Sequence, residues 1–302
     1  MKKIIITLLT LALALLSFVT ATYAWITMAR VNLIDELTLV ATLGDDIEIS
    51  IDGENFYKEL PEDILLQNLR KTSLLEMTSS DGKTFAHKNS DVQVIKNVNY
   101  LSFDFTIRTD SKREHEVYLA NNVSNNAAFD EPPKEGTFVV SKGVSFKSPI
   151  RYLYDENDYV EAGETRTYFA SGAVRIATIT QNADGEVVKI FDLSGDEHRG
   201  FGKPYGAVAY YNAKHPENRL EIPTTIPPTI YKLSEFDPNG PFAYDDTSHL
   251  VSLNEIVEAN GKTYYQGKVT INIWLEGWDA DLFDAVIKDR IKIQLQFKAV
   301  RK

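Results

Sequence analysis

Cysteine is absent from all 302 residues. That excludes disulfide frameworks, thiolate metal sites and cysteine nucleophiles together. Basic charge is in deficit: 32 Lys and Arg face 43 Asp and Glu, giving a formal net charge of −11 at pH 7. Such a surface repels phosphate backbones and anionic lipid, which argues against nucleic acid as a partner. No Gly-x-Ser-x-Gly elbow, phosphate loop or dinucleotide fingerprint occurs. The five histidines (His87, His115, His198, His215, His249) are scattered, and none has another four residues on, the spacing that sets two imidazoles on one metal from one helix. In "REHEVYL", His115 precedes Glu116, but position 119 is Leu, so the zinc-protease motif fails at its second ligand. His115 is expected to be a polar residue at a strand edge. A metal site assembled from residues distant in sequence stays open.

Hydrophobic residues make up 43% of the chain and aromatics 11%, enough for a substantial core. "MKK", the apolar run "IIITLLTLALALLSFV" and then "TATYA" have the charged start, apolar stretch and small residues (Thr22, Ala24) of a secretory signal. Cleavage between Ala24 and Trp25 is expected. The alternative is an uncleaved anchor, since Ile4 to Met28 carries no charge and could just cross a bilayer of ~30 Å. Either reading places the bulk of the chain outside the cytoplasm.

Beyond the signal, the dominant period is two, as in half-buried strands. "ELTLVATL" sets Leu37, Leu39, Ala41 and Leu43 on one face, "DIEISID" sets Ile47, Ile49 and Ile51, and "YLSFDFTIRT" sets Leu101, Phe103, Phe105 and Ile107. In "RIKIQLQFKAV", Ile291, Ile293, Leu295 and Phe297 alternate with Lys292, Gln294, Gln296 and Lys298, predicting one core face and one wet face. "DG" at 52, 81 and 184 and "NG" at 260 supply turns. One or two short helices are predicted within "PEDILLQNLRKTSLLEM" (61–77). The Gly-, Pro- and Asp-rich stretch 192–248 reads as long loops. No internal repeat is legible. The sum is an all-β, jelly-roll-like antiparallel β-sandwich spanning 25–302, with one or two short helices and long loop insertions.

Two acidic stretches bear on ligands. "DENDYVEAGE" places Asp155, Asn157, Asp158 and Glu161 close together, oxygen ligands of the kind calcium takes. Arg166 occupies the position of an EF-hand's bidentate Glu, so a solvated turn is the favoured reading, with calcium the alternative; the 237–246 loop (Asp237, Asn239, Asp245, Asp246) is equally ambiguous. "WLEGWDADLFDA" packs Trp274, Glu276, Trp278, Asp279, Asp281 and Asp284 between two strands. Asp279 or Asp281 is expected to N-cap a short helix, its carboxylates stabilised at the positive end, with both tryptophans plugging the sandwich end or covering that helix. Trp278 as an exposed sugar platform is the sharper alternative.

"TATYAWIT", "YLSFDFTIRT" followed by "EVYLANNVS", "SGAVRIATI" and "INIWLEGWDADLFDA" together resemble secreted proteins of the TasA/camelysin group of Gram-positive bacteria. The resemblance covers the N-terminus and the strand framework but not 192–248. It implies a jelly-roll sandwich, processing by an ER-type signal peptidase, and assembly into biofilm-matrix fibres by strand addition at an open edge. The exchanged segment would be Trp25 to Leu43, with Trp25, Ile26, Val31, Leu33, Leu37 and Leu39 as its pairing residues; the alternative is that Leu37 to Leu43 pairs within its own domain. Camelysin's metallopeptidase activity has no motif here to carry it. Three functions stay open: a self-assembling structural subunit without catalysis or cofactor, a surface adhesin binding glycan or protein, and a metallopeptidase. "FKAVRK" holds no wall-sorting signal, so covalent wall attachment is not expected.

Overall fold

The computed structural model describes residues 10–14, 16–17, 32–42, 47–60, 64–65, 73–88, 92–112, 114–183, 185–238, 240 and 242–301. Ala24, Trp25, Ile26, Val31, Leu43 and Asn239 lie outside them. Residues 10–14 and 16–17 are helical and exposed, and no helix among the described residues is long and apolar enough to cross a membrane.

The strands are, in order, β1 (Asn32–Ala41), β2 (Glu48–Ser50), β3 (Ser73–Leu74), β4 (Glu76–Met77), β5 (Leu101–Thr109) and β6 (His115–Leu119). Next come β7 (Phe138–Ser141), β8 (Val144–Lys147), β9 (Tyr152–Asp155), β10 (Asp158–Val160), β11 (Thr165–Tyr168) and β12 (Val174–Asn182). The series closes with β13 (Gly185–Phe191), β14 (Thr229–Ile230), β15 (His249–Leu253), β16 (Glu255–Ala259), β17 (Lys262–Glu276) and β18 (Arg290–Arg301).

The expected all-β sandwich forms. One sheet has the order β15-β6-β18-β1-β3, with β7 also on β18; the other runs β14-β13-β12-β17-β5-β2, with β16 and β4 along β17. Pairs β9–β10 and β8–β11 stand apart. The core lies between the sheets: Leu37, Leu39, Ile291, Ile293, Leu295 and Phe297 meet Phe105, Ile107, Val174, Ile176, Ile271 and Ile273. The Phe105 and Phe297 rings are 5.1 Å apart across it. Pairing is mainly antiparallel, but β1 runs parallel to β18 from Leu33↔Arg290 to Ala41↔Phe297. Leu37 and Leu39, both fully buried, are worth about 3–6 kcal/mol together to the docking of β1.

The turn chemistry works as read at 260: Asn260 and Gly261 both have positive φ (51° and 73°), the geometry of the two-residue hairpin joining β16 to β17. A short repeat, not legible beforehand, governs two other turns, Ser50–Phe56 and Ser79–Phe85, both of the form S-x-D-G-x-x-F. In each, the Asp Oδ1 accepts the N–H of the residues two and three on (2.7–2.8 Å) and the Gly N–H donates to the Ser Oγ at 2.9 Å. Each turn is closed by a bridge of the same span, Ile49↔Tyr57 and Thr78↔Ala86.

Four expectations need correction. Within 61–77, where one or two short helices are expected, residues 64–65 are helical and 61–63 and 66–72 lie outside the described residues, but 73–74 and 76–77 form β3 and β4. Leu74 and Met77 are fully buried, and pairing with β1 and β17 overrides local propensity there. The 192–248 stretch holds a helix, α1 (Ala207–Lys214). The second face of β1 and β18 is covered rather than wet: Thr38, Val40, Gln294 and Gln296 are buried, and Gln294 Nε2 donates to the carbonyls of Lys134 and Gly136. His115 is no edge residue; it is buried in β6, flanked by β15 and β18.

Candidate functional site

The residues of "WLEGWDAD" converge on a buried charge network. Along β12, Val174 and Ile176 point into the core, so alternation turns Arg175 to the outer face, in register with Trp274 of β17. Both are fully buried: Trp274 packs with Met77, Ala177 and Ile190, over which Leu75, Phe85, Val94 and Tyr100 also pack, and it meets the Phe85 ring edge-on at 5.2 Å. Trp274 thus seals the outer face of a sheet rather than the sandwich end. Trp278 is half-buried, with Lys88 Nζ 5.1 Å from its ring centroid.

Arg175 Nη1 donates to the carbonyls of Gly172 (3.0 Å) and Val174 (3.2 Å). Its Nη2 donates to Asp279 Oδ2 and lies 2.9 Å from Asp192 Oδ2; the latter contact is an ion pair off the hydrogen-bond axis. Beside it, Arg199 Nε donates to Asp281 Oδ1 at 2.8 Å, its Nη1 donates to the Tyr154 carbonyl at 2.9 Å, and its guanidinium lies 4.1 Å from the centre of the Tyr154 ring. Glu276 accepts from Trp274 Nε1 (3.0 Å) and the Trp278 N–H (3.1 Å). Asp279 Oδ1 accepts the Asp281 N–H at 2.9 Å.

No α-helix starts at Asp279 or Asp281. Only a 3-10 turn forms, at Asp284–Val286, with no side-chain cap. The two carboxylates are taken by guanidinium groups instead, and the loop is stitched to 196–202 by Ala280 N–H to the Arg199 carbonyl (3.1 Å) and Gly202 N–H to the Trp278 carbonyl (2.8 Å). The motif joins its loop to 196–202 through ion pairs and backbone hydrogen bonds.

Burial pushes the carboxyls of Glu276, Asp192, Asp279 and Asp281 above the ordinary range, against the pull of Arg175 and Arg199. Burial also works against the two arginines' charge, but Asp192 and Asp279 for Arg175, and Asp281 for Arg199, more than restore it, so both pKa values rise. Nearby Tyr231 is pushed up to about 12, chiefly by burial. Carboxyls with raised folded pKa values give their full stability below the unfolded value and lose it as pH rises through the folded one. Elsewhere Asp52, Asp158 and Asp245 are lowered, by hydrogen bonds from Asn55, Arg166 and Thr247 respectively and for Asp245 to about 2; their contribution is lost as pH falls. The melting temperature is therefore expected to rise from about pH 8 to about pH 5 and to fall below about pH 4. Calorimetry across that range checks it, and a lower melting temperature at pH 5 than at pH 8 would contradict it.

The calcium candidates are placed on hairpin β9–β10 and just beyond, each carboxylate aimed at a different cation. Asp155 contacts His198 Nε2 (2.7 Å) and Arg199 Nη1 (3.4 Å), Asp158 contacts Arg166 Nη1 (2.5 Å), and Glu161 contacts Arg151 Nε (2.8 Å). Asn157 is exposed at the turn. In the 237–246 loop, Asp245 accepts the Thr247 N–H (2.9 Å) and Asp246 accepts the Tyr118 hydroxyl (2.6 Å). Among the described residues no group of three or more His, Asp or Glu is arranged to hold a metal ion. His249 Nε2 lies 2.6 Å from Glu116, His198 is 2.7 Å from Asp155, and His215 follows α1.

A cleft of about 620 Å³ opens beside the network, between β7 and the end of β11, with Arg199 and Asp281 in its wall and Tyr154, Tyr168 and half-exposed Phe169 lining it. Sequence reasoning missed Arg175, Asp192 and Arg199. Arg175 carried a signal, since a lone arginine within the apolar run of "SGAVRIATI" must find partners if it is buried. Asp289 was missed as well. It is 1% exposed, and its carboxylate accepts three backbone N–H groups, from Gly143 and Ala170 at 2.9 Å and Arg290 at 2.8 Å. No family model, no curated protein and no solved structure matches this chain.

Proposed function

We propose that the chain is an exported, non-catalytic structural protein, a subunit of an extracellular matrix or biofilm fibre that assembles with copies of itself by β-strand addition. Export would follow removal of residues 1–24 by a signal peptidase. The observation that carries the reading is the seat of β1. This strand stands at the start of the mature chain, lies along β18 over eight register pairs, and buries Leu37 and Leu39 completely. On its other side it pairs with β3 at two positions and with residues 58–60 through the Val40↔Glu59 bridge. The same strand from a second copy would make every one of these contacts, the condition for exchange at low cost. A second reading, a surface module that binds glycan or protein, draws on the 620 Å³ cleft with its aromatic lining.

The test uses the absence of native cysteine. Glu36 and Lys292 are register partners on β1 and β18, so Glu36→Cys with Lys292→Cys can tie the strand to its own subunit. The mature chain 25–302 is expected to form filaments over days in negative-stain images. The oxidised double variant is expected to stay monomeric by size-exclusion chromatography and to form filaments once reduced. Filaments from the oxidised variant would refute strand exchange. A persistent wild-type monomer whose melting temperature rises with a glycan would favour the binding module.

A further inference from the structure

The contact between β1 and β18 carries more than apolar burial. Asn32, only 4% exposed, accepts the Asp289 N–H on its Oδ1 at 3.0 Å, while the Leu33 N–H donates to the Asp289 carbonyl at 3.2 Å. Asp35 lies 2.5 Å from Arg290, and Glu36 lies 3.3 Å from Lys292. Between these pairs the register shifts: Ile34 faces Ile291 and Glu36 faces Lys292, so Asp35 is an extra residue on β1. Bulges in parallel pairs are rare and fix register locally. The four charged side chains are 16% (Asp35), 50% (Arg290), 31% (Glu36) and 20% (Lys292) exposed, so the pairs are partly shielded from water.

We propose that the Asp289–Lys292 end of β18 is a recognition surface for the Asn32–Glu36 end of this chain's own β1, whether that strand comes from the same subunit or a second copy. Three alternatives to the observed register each fail for a physical reason. A slip of one residue turns Leu37 and Leu39 away from the core. A slip of two toward the C-terminus of β18 passes Asp35 from Arg290 to Lys292, sets Glu36 against the neutral Gln294, strips Arg290 of its carboxylate, and leaves the Asn32 amide buried without its partner. A foreign apolar strand without the acids leaves Arg290 and Lys292 with Phe129 as their remaining neighbour, at 5.6 and 5.0 Å from the ring centroid, and with Asp130 acting on Arg290 from further off. The apolar residues of β1 supply the affinity; Asn32, the bulge and the two acids supply the choice of partner.

The occupancy by a second copy rests on the assembly reading above, whereas the lock within one subunit does not, and the test separates the two. Hydrogen exchange of β1 amides is followed in the mature chain, in Asp35→Lys with Glu36→Lys, and in that variant combined with Arg290→Glu and Lys292→Glu. The first variant is expected to exchange about tenfold faster in β1, and the fourfold variant to return most of the way. Unchanged exchange in the first, or no recovery in the second, overturns the proposal. For the second copy, wild-type and fourfold variant chains labelled with different dyes are mixed. Filaments that sort by charge pattern support the proposal, and filaments mixed at random overturn it for the second copy. If no filaments form at all, the assembly reading fails, and the exchange data still decide the lock.

Discussion

Replacing Arg175 with methionine is expected to destabilise the folded chain by about 3–5 kcal/mol. Methionine matches much of the volume, so the loss is electrostatic rather than a cavity. Arg175 is 1% exposed, and the carboxylates on it, Asp192 and Asp279, are 0% and 1% exposed. Without the guanidinium, each must stay charged in a poorly solvated place or take up a proton that burial already favours. Urea unfolding of residues 25–302 at pH 7 measures the cost. The origin is separable: Arg175→Met combined with Asp192→Asn and Asp279→Asn is expected to recover much of the loss, because a neutral set needs no counter-charge. If the triple variant is no more stable than the single one, Arg175 matters for its hydrogen bonds to the carbonyls of Gly172 and Val174 instead.

A second large effect is expected at Asp289. Its carboxylate takes three backbone N–H groups at once, on the turn between β7 and β8, at Ala170 and at the start of β18. Asp289→Ala strands the N–H of Gly143 and of buried Ala170, each costing about 1–3 kcal/mol, so a loss of about 3–4 kcal/mol is expected. Asp289→Asn keeps one carbonyl-type acceptor and should lose about half as much. The backbone N–H of Asp289 still meets Asn32 in both variants, so β1 keeps its anchor while the far side of the corner loosens. Equal stability of the Ala variant and the parent would mean that water replaces the carboxylate at this site.

The strands with uninterrupted alternation were legible. β18, β5 and the second half of β17 each show a period of two long enough to exclude a helix, and the Asn260-Gly261 turn marked its hairpin. Residues 73–77 were not legible because Leu74 and Met77 are three apart, which suits one helix face as well as two short strands, and only the ladders to β1 and β17 decide between them. The parallel pairing of β1 with β18 left no local mark at all. At the charge network, the acids of "WLEGWDAD" stood out by density, but their partners are drawn from 175 and 199, far away in sequence. Asp289 sits in "IKDRIKI", where an acid between bases reads as ordinary surface.

The partnership of β1 with β18 also sets the order in which the chain can fold. Thr42 and Phe297, joined by a hydrogen bond from the Thr42 N–H at 2.8 Å, are 255 residues apart, so the first strand of the sandwich lacks its longest neighbour until the last one is present. A chain delivered N-terminus first therefore leaves the β18 side of Leu37 and Leu39 open through nearly the whole of synthesis or translocation. Contacts this distant in sequence slow folding, and the delay keeps the polypeptide threadable until its final strand arrives.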